Sequence, residues 1–259
     1  MCLIAFAWNA CPRYRLVLAA NRDEFHDRPT EAARWWRDAP QVFGGRDLSA
    51  GGTWLALSSA GRLAAVTNFR DRPHRGAGER SRGELAATFL STALSPLAHA
   101  EQLLPHAHHY GGFNLLLFDW QPARPGFVYL SNRHDPHAVQ APPDGIHTVS
   151  NHLLNTPWPK SERLRNVMAE ALRERDPSES LFAALADSRP VTPSEIPDGS
   201  DFSDPDVLTR TPFIANARYG TRASTVVTVT HQGAVRFIER TWGWSDTGPV
   251  CSAERQLDL

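Results

Sequence analysis

The sequence predicts an α+β fold built as one domain, with mostly antiparallel sheets and helices set in layers beside them. Strand-like and helix-like stretches come in blocks, strands then helices then strands again, rather than in strict β-α-β alternation, which argues against a wound parallel sheet. Several strand-like runs, notably Leu3-Ile4-Ala5-Phe6 and Leu115-Leu116-Leu117-Phe118, are apolar at successive positions and so require burial on both faces. No internal repeat is visible, and neither the arginine-rich stretch 70–82 nor the proline-rich stretch 189–212 separates two cores. Residues 1–259 therefore read as a single domain.

The elements follow in order. Residues 2–8 and 14–20 are apolar runs around Asn9–Arg13, a segment holding Pro12, and read as an N-terminal hairpin. Thr53–Ser58 and Leu63–Phe69 form a second hairpin across Gly61, which supplies the positive φ of a tight turn. Ser81 with Glu84 makes a capping box ahead of Leu85, Ala86, Phe89 and Leu90, predicting a helix over 82–93. A second helix is expected around 96–108, where His and Ala are frequent. Phe113–Trp120 and Phe127–Ser131 read as a strand pair, and Thr148–Asn151 as a short further strand. Leu164, Val167, Met168, Ala171 and Leu172 fall at helical spacing and make 161–174 an amphipathic helix. Five prolines mark 189–212 as a long surface loop, and Ser224–Thr230 and Ala234–Thr241 close the chain as strands turning at Gln232-Gly233.

Composition excludes several functional classes. The hydrophobic fraction of 41%, with 8 Trp and 12 Phe, suits an ordinary globular core. Lys+Arg 27 against Asp+Glu 28 leaves a formal charge of −1, so no bulk attraction to nucleic acid or anionic membrane exists. No run of about 18 apolar residues occurs, so no spanning helix is expected, and the eight apolar residues at the start are too few for a signal peptide core. Cys2, Cys11 and Cys251 form no C-x-x-C pair and leave an odd thiol, which fits a reducing compartment, read here as the cytoplasm. The expected partner is a small-molecule substrate or ligand, with no cofactor. His106, His108 and His109 lack a nearby cysteine or acidic ligand in sequence and read as a polar helix end rather than a metal site. Gly44-Gly45 and Gly51-Gly52 lack a phosphate-loop or dinucleotide spacing and read as turns that let Trp54 pack. Residues 70–82 hold five arginines and read as a solvated loop, or as a flexible lid over a Cys2 pocket.

Cys2 is the most informative position. Removal of Met1 would leave a thiol and a free α-amine on one residue, and an α-amine with a pKa of about 7.7–8.0 can act as the general base for its own side chain. Taken alone, Cys2 reads first as a small buried hydrophobe at the start of a strand. Its company changes that reading. Asn21-Arg22-Asp23-Glu24 abuts an apolar strand, where burial alone explains such charges poorly.

Met1-Cys2, Ala20–Phe25 (with Asn-Arg-Asp-Glu inside it), Gly51–Trp54, Thr67-Asn68, Arg82–Glu84, Gly112–Asn114, Ser150-Asn151, Thr156–Trp158 and Tyr219–Arg222 together resemble the NRDE family, the transport and Golgi organization 2 proteins, across nearly the whole chain. That family in turn resembles the choloylglycine hydrolase and penicillin V acylase branch of N-terminal-nucleophile enzymes. The resemblance implies a four-layer αββα sandwich and a site of Cys2, Arg22, Asp23, Asn68, Asn151 and Arg222. In these roles Cys2 attacks an amide or thioester, Arg22 or Arg222 favours the thiolate, Asp23 orients the α-amine, and Asn68 with Asn151 serves the oxyanion. It also implies family links to haem trafficking and to lipid or acyl-CoA metabolism, so a non-catalytic carrier stands beside the hydrolase. One departure from that branch is visible. Its Arg and Asp are usually separated by two residues, whereas Arg22 and Asp23 are adjacent and point to opposite faces of a strand. Glu24, on the same face as Arg22, is therefore a second candidate for the carboxylate.

Overall fold

The computed structural model describes residues 2–70, 78–122, 125–134, 138–196 and 211–259. Met1, most of the arginine-rich stretch (71–77) and most of the proline-rich loop (197–210) lie outside the described residues, and with them the expected lid. In chain order the strands are β1 (Cys2–Trp8), β2 (Tyr14–Phe25), β3 (Thr30–Trp35), β4 (Val42–Asp47), β5 (Leu55–Ser58), β6 (Arg62–Asn68), β7 (Phe113–Asp119), β8 (Gly126–Ser131), β9 (Val139–Gln140), β10 (Gly145–Val149), β11 (Tyr219–Thr230), β12 (Val235–Ser245) and β13 (Gly248–Asp258). The α-helices are α1 (Gly83–Leu90), α2 (Pro96–Leu103), α3 (Pro159–Ala171) and α4 (Ser178–Leu185). No helix among the described residues is long and apolar enough to cross a membrane.

The chain divides into two compact units. The first takes Met1–Asp27, Asp144–Ser150 and Leu154–Leu259, the second Arg28–Pro143 and Asn151–Leu153. In the first unit six strands run in the order β10-β1-β2-β11-β12-β13, each antiparallel to its neighbours. Leu3, Ala5, Ala7, Val17, Ala19, Val226 and Ile238 cover one face and pack with Leu164, Met168 and Ala171 of α3 and with Leu181, Phe182 and Leu185 of α4. The other face carries Ile4, Phe6, Leu16, Leu18, Val227 and Phe237, which are also buried, as the successive apolar positions require.

In the second unit seven antiparallel strands run consecutively from β3 to β9. Leu85, Ala86, Phe89 and Leu90 of α1 and Ala100 of α2 pack on Ala64, Val66, Leu115, Leu117, Val128 and Leu130 of that sheet. Helix α2 starts as its sequence directs, with Pro96 in its first turn and Ser95 Oγ accepting the Ala98 N–H at 3.2 Å.

Several expectations need correcting. The predicted capping box does not form: Arg82 stands at the helical N-cap with no side-chain cap, and the Ser81 carbonyl rather than its hydroxyl takes the Glu84 N–H. Glu84 instead accepts from the Tyr110 hydroxyl at 2.5 Å and pairs with Arg80 at 2.6 Å. The helix expected around 96–108 stops at Leu103 and tightens into a 3-10 turn over Leu104–His109. Gly44 and Gly45 lie inside strand β4 rather than in a turn, and a Cβ on Gly45 would come within 2.2 Å of the Trp54 ring. Contrary to the sequence reading, an acidic group does reach the histidines, Glu79 lying 2.8 Å from His109 Nδ1.

Candidate active site

The geometry around Cys2 follows from strand register. Cys2 pairs with Arg22 and Leu3 with Asn21 across the β1–β2 ladder. Directly opposed residues of an antiparallel pair share a face, and successive residues alternate. Because Leu3 packs under α3 and α4, Cys2, Arg22 and Glu24 belong to the face away from those helices. Asn21 and Asp23 belong to the helix face. Arg22 and Asp23 are nonetheless both buried, at 5% and 3% exposure, which is tolerable for charges only when they are paired.

Each has partners. The Arg22 guanidinium lies 3.7 Å from the Glu24 carboxylate on its own face. Asp23 Oδ1 accepts the Thr221 hydroxyl at 2.8 Å, and the Asp23 carbonyl accepts the Tyr219 hydroxyl at 3.0 Å. Asn21 donates to the Leu185 and Pro212 carbonyls at 2.8 Å each and accepts from the Ser224 hydroxyl at 2.6 Å, tying β2 to the end of α4.

Strand β11 is irregular at this level. Thr221 pairs with Asp23 and Ala223 with Arg22, so Arg222 is the extra residue of a β-bulge. Thus freed from the ladder, Arg222 donates through Nη1 to the carbonyls of Phe25 at 2.7 Å and His26 at 3.1 Å. Burial and the Arg22 charge pull its pKa down, with Glu24 and Asp27 opposing.

Burial also dominates the Cys2 thiol and pushes its pKa up; the ammonium at the chain's N-terminus, which Met1 carries, and Arg22 pull it down, while Asp23 and Glu24 add to the rise. Both carboxylates therefore act on the thiol through charge, although only Glu24 shares its face. The Cys2 carbonyl accepts the Ser150 hydroxyl at 3.0 Å, which fixes the backbone from which the thiol projects.

In the second unit Asn68 ends β6 with an exposed side chain. Asn151 is buried and left-handed, at φ 56°, a conformation that asparagine tolerates better than most residues. Its Nδ2 donates to the Asn68 carbonyl at 2.9 Å, and its own carbonyl accepts the Arg70 N–H at 2.9 Å. Asn114, wholly buried, donates to Thr67 Oγ1 at 3.1 Å and to the His152 carbonyl at 2.9 Å, and accepts from the Tyr129 hydroxyl at 2.8 Å. The first unit thus brings together Cys2, Arg22, Asp23 and Arg222, and the second brings together Asn68 and Asn151. Among the described residues no cluster of His, Cys, Asp and Glu has metal-binding geometry.

Sequence reasoning gave no role to Thr221, Tyr219 or Ser150. Thr221 and Ser150 are the chain neighbours of Arg222 and Asn151, and Tyr219 opens the motif that ends at Arg222; that proximity was the available signal.

Comparison with known proteins gives the family and the fold. The sequence profile of the family described as Transport and Golgi organisation 2 matches residues 1–243. The Transport and Golgi organization protein 2 homolog of Homo sapiens is 35% identical, over 93% of this chain and 92% of its own length. The mouse homolog is 34% identical over 95% of each chain, and the Drosophila melanogaster protein 29% identical over 93% and 92%. Among solved structures, a Caenorhabditis elegans N-acylethanolamine-hydrolyzing acid amidase ortholog superposes with a TM-score of 0.53 at 11% identity, covering 86% of this chain and 91% of that one. That likeness, with two antiparallel sheets and few helices, shows an α+β fold of the N-terminal-nucleophile hydrolase type.

Proposed function

Because this chain belongs to the Transport and Golgi organisation 2 family and has the fold of an N-terminal-nucleophile hydrolase, we propose that it is an amidohydrolase or acyltransferase. Its nucleophile is Cys2, freed by removal of Met1, and residues 1–259 are taken as one catalytic domain. The observation that carries the reading is the placement of Cys2 as the first residue of β1, paired with Arg22. Asp23 is the next residue of β2, in the direction from which the Cys2 nitrogen enters its strand.

In this scheme the free α-amine of Cys2 takes the thiol proton, and the sulfur attacks the carbonyl carbon of an acyl amide or thioester. Asn68 and Asn151 offer amide N–H groups to the oxyanion, a donor type whose loss costs about 2.7–4 kcal/mol elsewhere. Collapse breaks the bond to the leaving group, which takes the proton from the α-ammonium. Water then attacks the acyl-Cys2 thioester, giving one proton to the α-amine; acid leaves and the thiol is restored. Where another acceptor replaces water, the outcome is acyl transfer. The worm protein's name denotes hydrolysis of an acyl amide, which sets the bond class to assay first. A reducing compartment such as the cytoplasm suits a chain whose three cysteines are free.

The raised thiol pKa favours the second reading, a carrier that uses the fold to hold a haem, lipid or acyl-CoA ligand without turning it over. Intact mass and alkylation decide between the two. The hydrolase reading expects loss of Met1, faster alkylation of Cys2 than of Cys11 or Cys251 at neutral pH, and turnover on a panel of acyl amides and thioesters that Cys2→Ala abolishes. A retained Met1, equal labelling of the three thiols and no turnover would give the chain to the carrier reading.

A further inference from the structure

The proposed chemistry depends on a carboxylate held beside the Cys2 α-amine, and Asp23 is held from outside its own strand. Thr221 makes a two-point clamp with Ile214: its N–H donates to the Ile214 carbonyl at 3.0 Å, and its Oγ1 accepts the Ile214 N–H at 2.9 Å. A hydroxyl has one proton. With its oxygen engaged by Ile214, Thr221 directs that proton to Asp23 Oδ1 at 2.8 Å. Both side chains are nearly sealed from solvent, at 2% and 3% exposure, so water competes little for the bond. The bulge at Arg222 keeps this alignment, since it lets Thr221 stay in register with Asp23 while Ala223 takes Arg22.

We infer that Thr221 is a positioning residue of the site, relaying the Ile214 N–H through its hydroxyl to orient the Asp23 carboxylate toward the Cys2 amine. The inference rests on the N-terminal-nucleophile reading and adds to it a residue that touches no reacting atom. The charges acting on the Cys2 thiol are the N-terminal ammonium, carried by Met1 until it is removed, with Asp23, Arg22 and Glu24, and Arg222 feels the charges of Arg22, Glu24 and Asp27. Of the carboxylates, Asp23 is the one anchored by Thr221. Its negative charge favours both the ammonium and the neutral thiol, so loosening it lowers the pH at which the nucleophile forms even as the geometry worsens.

The test uses the full-length protein, with loss of Met1 verified by intact mass. Cys2 alkylation by iodoacetamide and turnover of the best substrate from the panel are followed across the range in which an α-amine and a thiol titrate. Thr221→Val removes the hydroxyl at nearly constant shape, and Thr221→Ser keeps it. The expected result is a plateau rate for the valine variant lowered about tenfold, the scale of one hydrogen bond to a charged group, with the midpoint displaced to lower pH. Serine restores both. Asp23→Asn should show the same displacement, and the double variant should add nothing to it, because the two residues act as one unit. If the valine variant does not fold, Thr221→Ala, which leaves room for water at the Ile214 N–H, is read in the same way. A wild-type midpoint in the valine variant, or equal losses in valine and serine, overturns the inference while leaving Cys2 as nucleophile. A wild type with no preferential Cys2 labelling and no turnover overturns the parent reading, and the inference with it.

Discussion

Replacing Arg62 by methionine should unfold the second unit's sheet more readily than any surface change, and the cost can be worked from its surroundings. Arg62, in β6, is 1% exposed. Its guanidinium lies 3.5 Å from the Asp119 carboxylate, which is fully buried, and 3.8 Å above the centre of the Phe89 ring. It also donates to the Phe89 carbonyl at 3.0 Å and to the carbonyls of Thr92 and Leu94, satisfying backbone acceptors at and beyond the end of α1. Methionine fills much of the volume but strands the carboxylate, and removing one partner of a buried pair costs about 3–5 kcal/mol. At about 2–4 °C per kcal/mol for a chain of this size class, Tm should fall by roughly 6–20 °C.

A second readout comes from His99. Burial first, and then the Arg62 charge, depress its pKa from 6.5 to about 4. A histidine depressed on folding binds protons less readily than the unfolded chain does, so its stability contribution is full above about pH 6.5 and is lost as pH falls towards 4. At 1.36 kcal/mol per unit the loss is at most about 3 kcal/mol. Without Arg62 the depression should shrink but persist, because desolvation is the larger cause. Urea unfolding followed by tryptophan fluorescence at several pH values checks both effects. A loss below about 1 kcal/mol at neutral pH would refute the buried-charge argument, as would an Arg62→Met/Asp119→Leu double variant no more stable than the single one.

Gly45→Ala should destabilise by about 1–3 kcal/mol in urea unfolding, because its Cβ would lie 2.2 Å from the Trp54 ring; a neutral result would show that the ring can retreat. At Asn151, glycine should be better tolerated than alanine, since both lose the bond to the Asn68 carbonyl but only alanine adds the left-handed penalty of about 1–2 kcal/mol; equal thermal stabilities would remove the strain argument. Arg163, bonded to Glu195 and to the Arg189 and Pro190 carbonyls, pins the segment after α4. Its side chain is the first cause holding the Glu195 carboxyl down at about 2. Arg163→Met should therefore expose residues 187–196 to limited proteolysis at neutral pH. Wild type should lose the same protection only as acid takes the pH below the ordinary carboxylate range towards 2, because a carboxylate depressed on folding gives up its contribution on that descent.

What the sequence made legible divides along physical lines. The hairpins β1–β2, β5–β6 and β7–β8 could be read because apolar runs end at turn-forming residues, and α1 and α3 because one face repeats at helical spacing. Strand β13 could not be read, since it is exposed along most of its length and so carries no alternation. The β3–β4 pair was hidden by two glycines inside a strand, Gly44 set close against Leu55 and Ala56 and Gly45 against the Trp54 ring. The capping box failed because Tyr110 and Arg80, remote in sequence or facing the same turn, offered Glu84 better partners. Of the proposed site, Cys2, Arg22, Asp23 and Arg222 were named from motifs. The bulge at Arg222 was not, because it exists only once β11 has docked on β2, nor was the Ile214 clamp on Thr221, which needs the chain ahead of β11 to fold back on it.

The contiguity of Asn21, Arg22, Asp23 and Glu24 has its own physical reason. A strand sends alternate residues to opposite faces, so four successive polar residues on one strand must serve two environments at once. Asn21 and Asp23 look toward the helix layer, where they bond Leu185, Pro212, Ser224 and Thr221. Arg22 and Glu24 look the other way, paired with each other beside Cys2. Neither set substitutes for the other: exchanging Arg22 and Asp23 would carry the guanidinium under the helices and leave Glu24 next to a second carboxylate. The separation of Arg and Asp by two residues in the related branch implies a different division of faces, whereas here adjacency assigns Glu24 to Arg22 and leaves Asp23 to Thr221. It follows that Glu24→Gln should change the reactivity of Cys2 chiefly through the charge of Arg22, while Asp23→Asn should change it through the α-amine. The pH–rate profiles of the two variants should therefore differ in midpoint and not only in height, and coincident profiles would mean that the two carboxylates are one functional group.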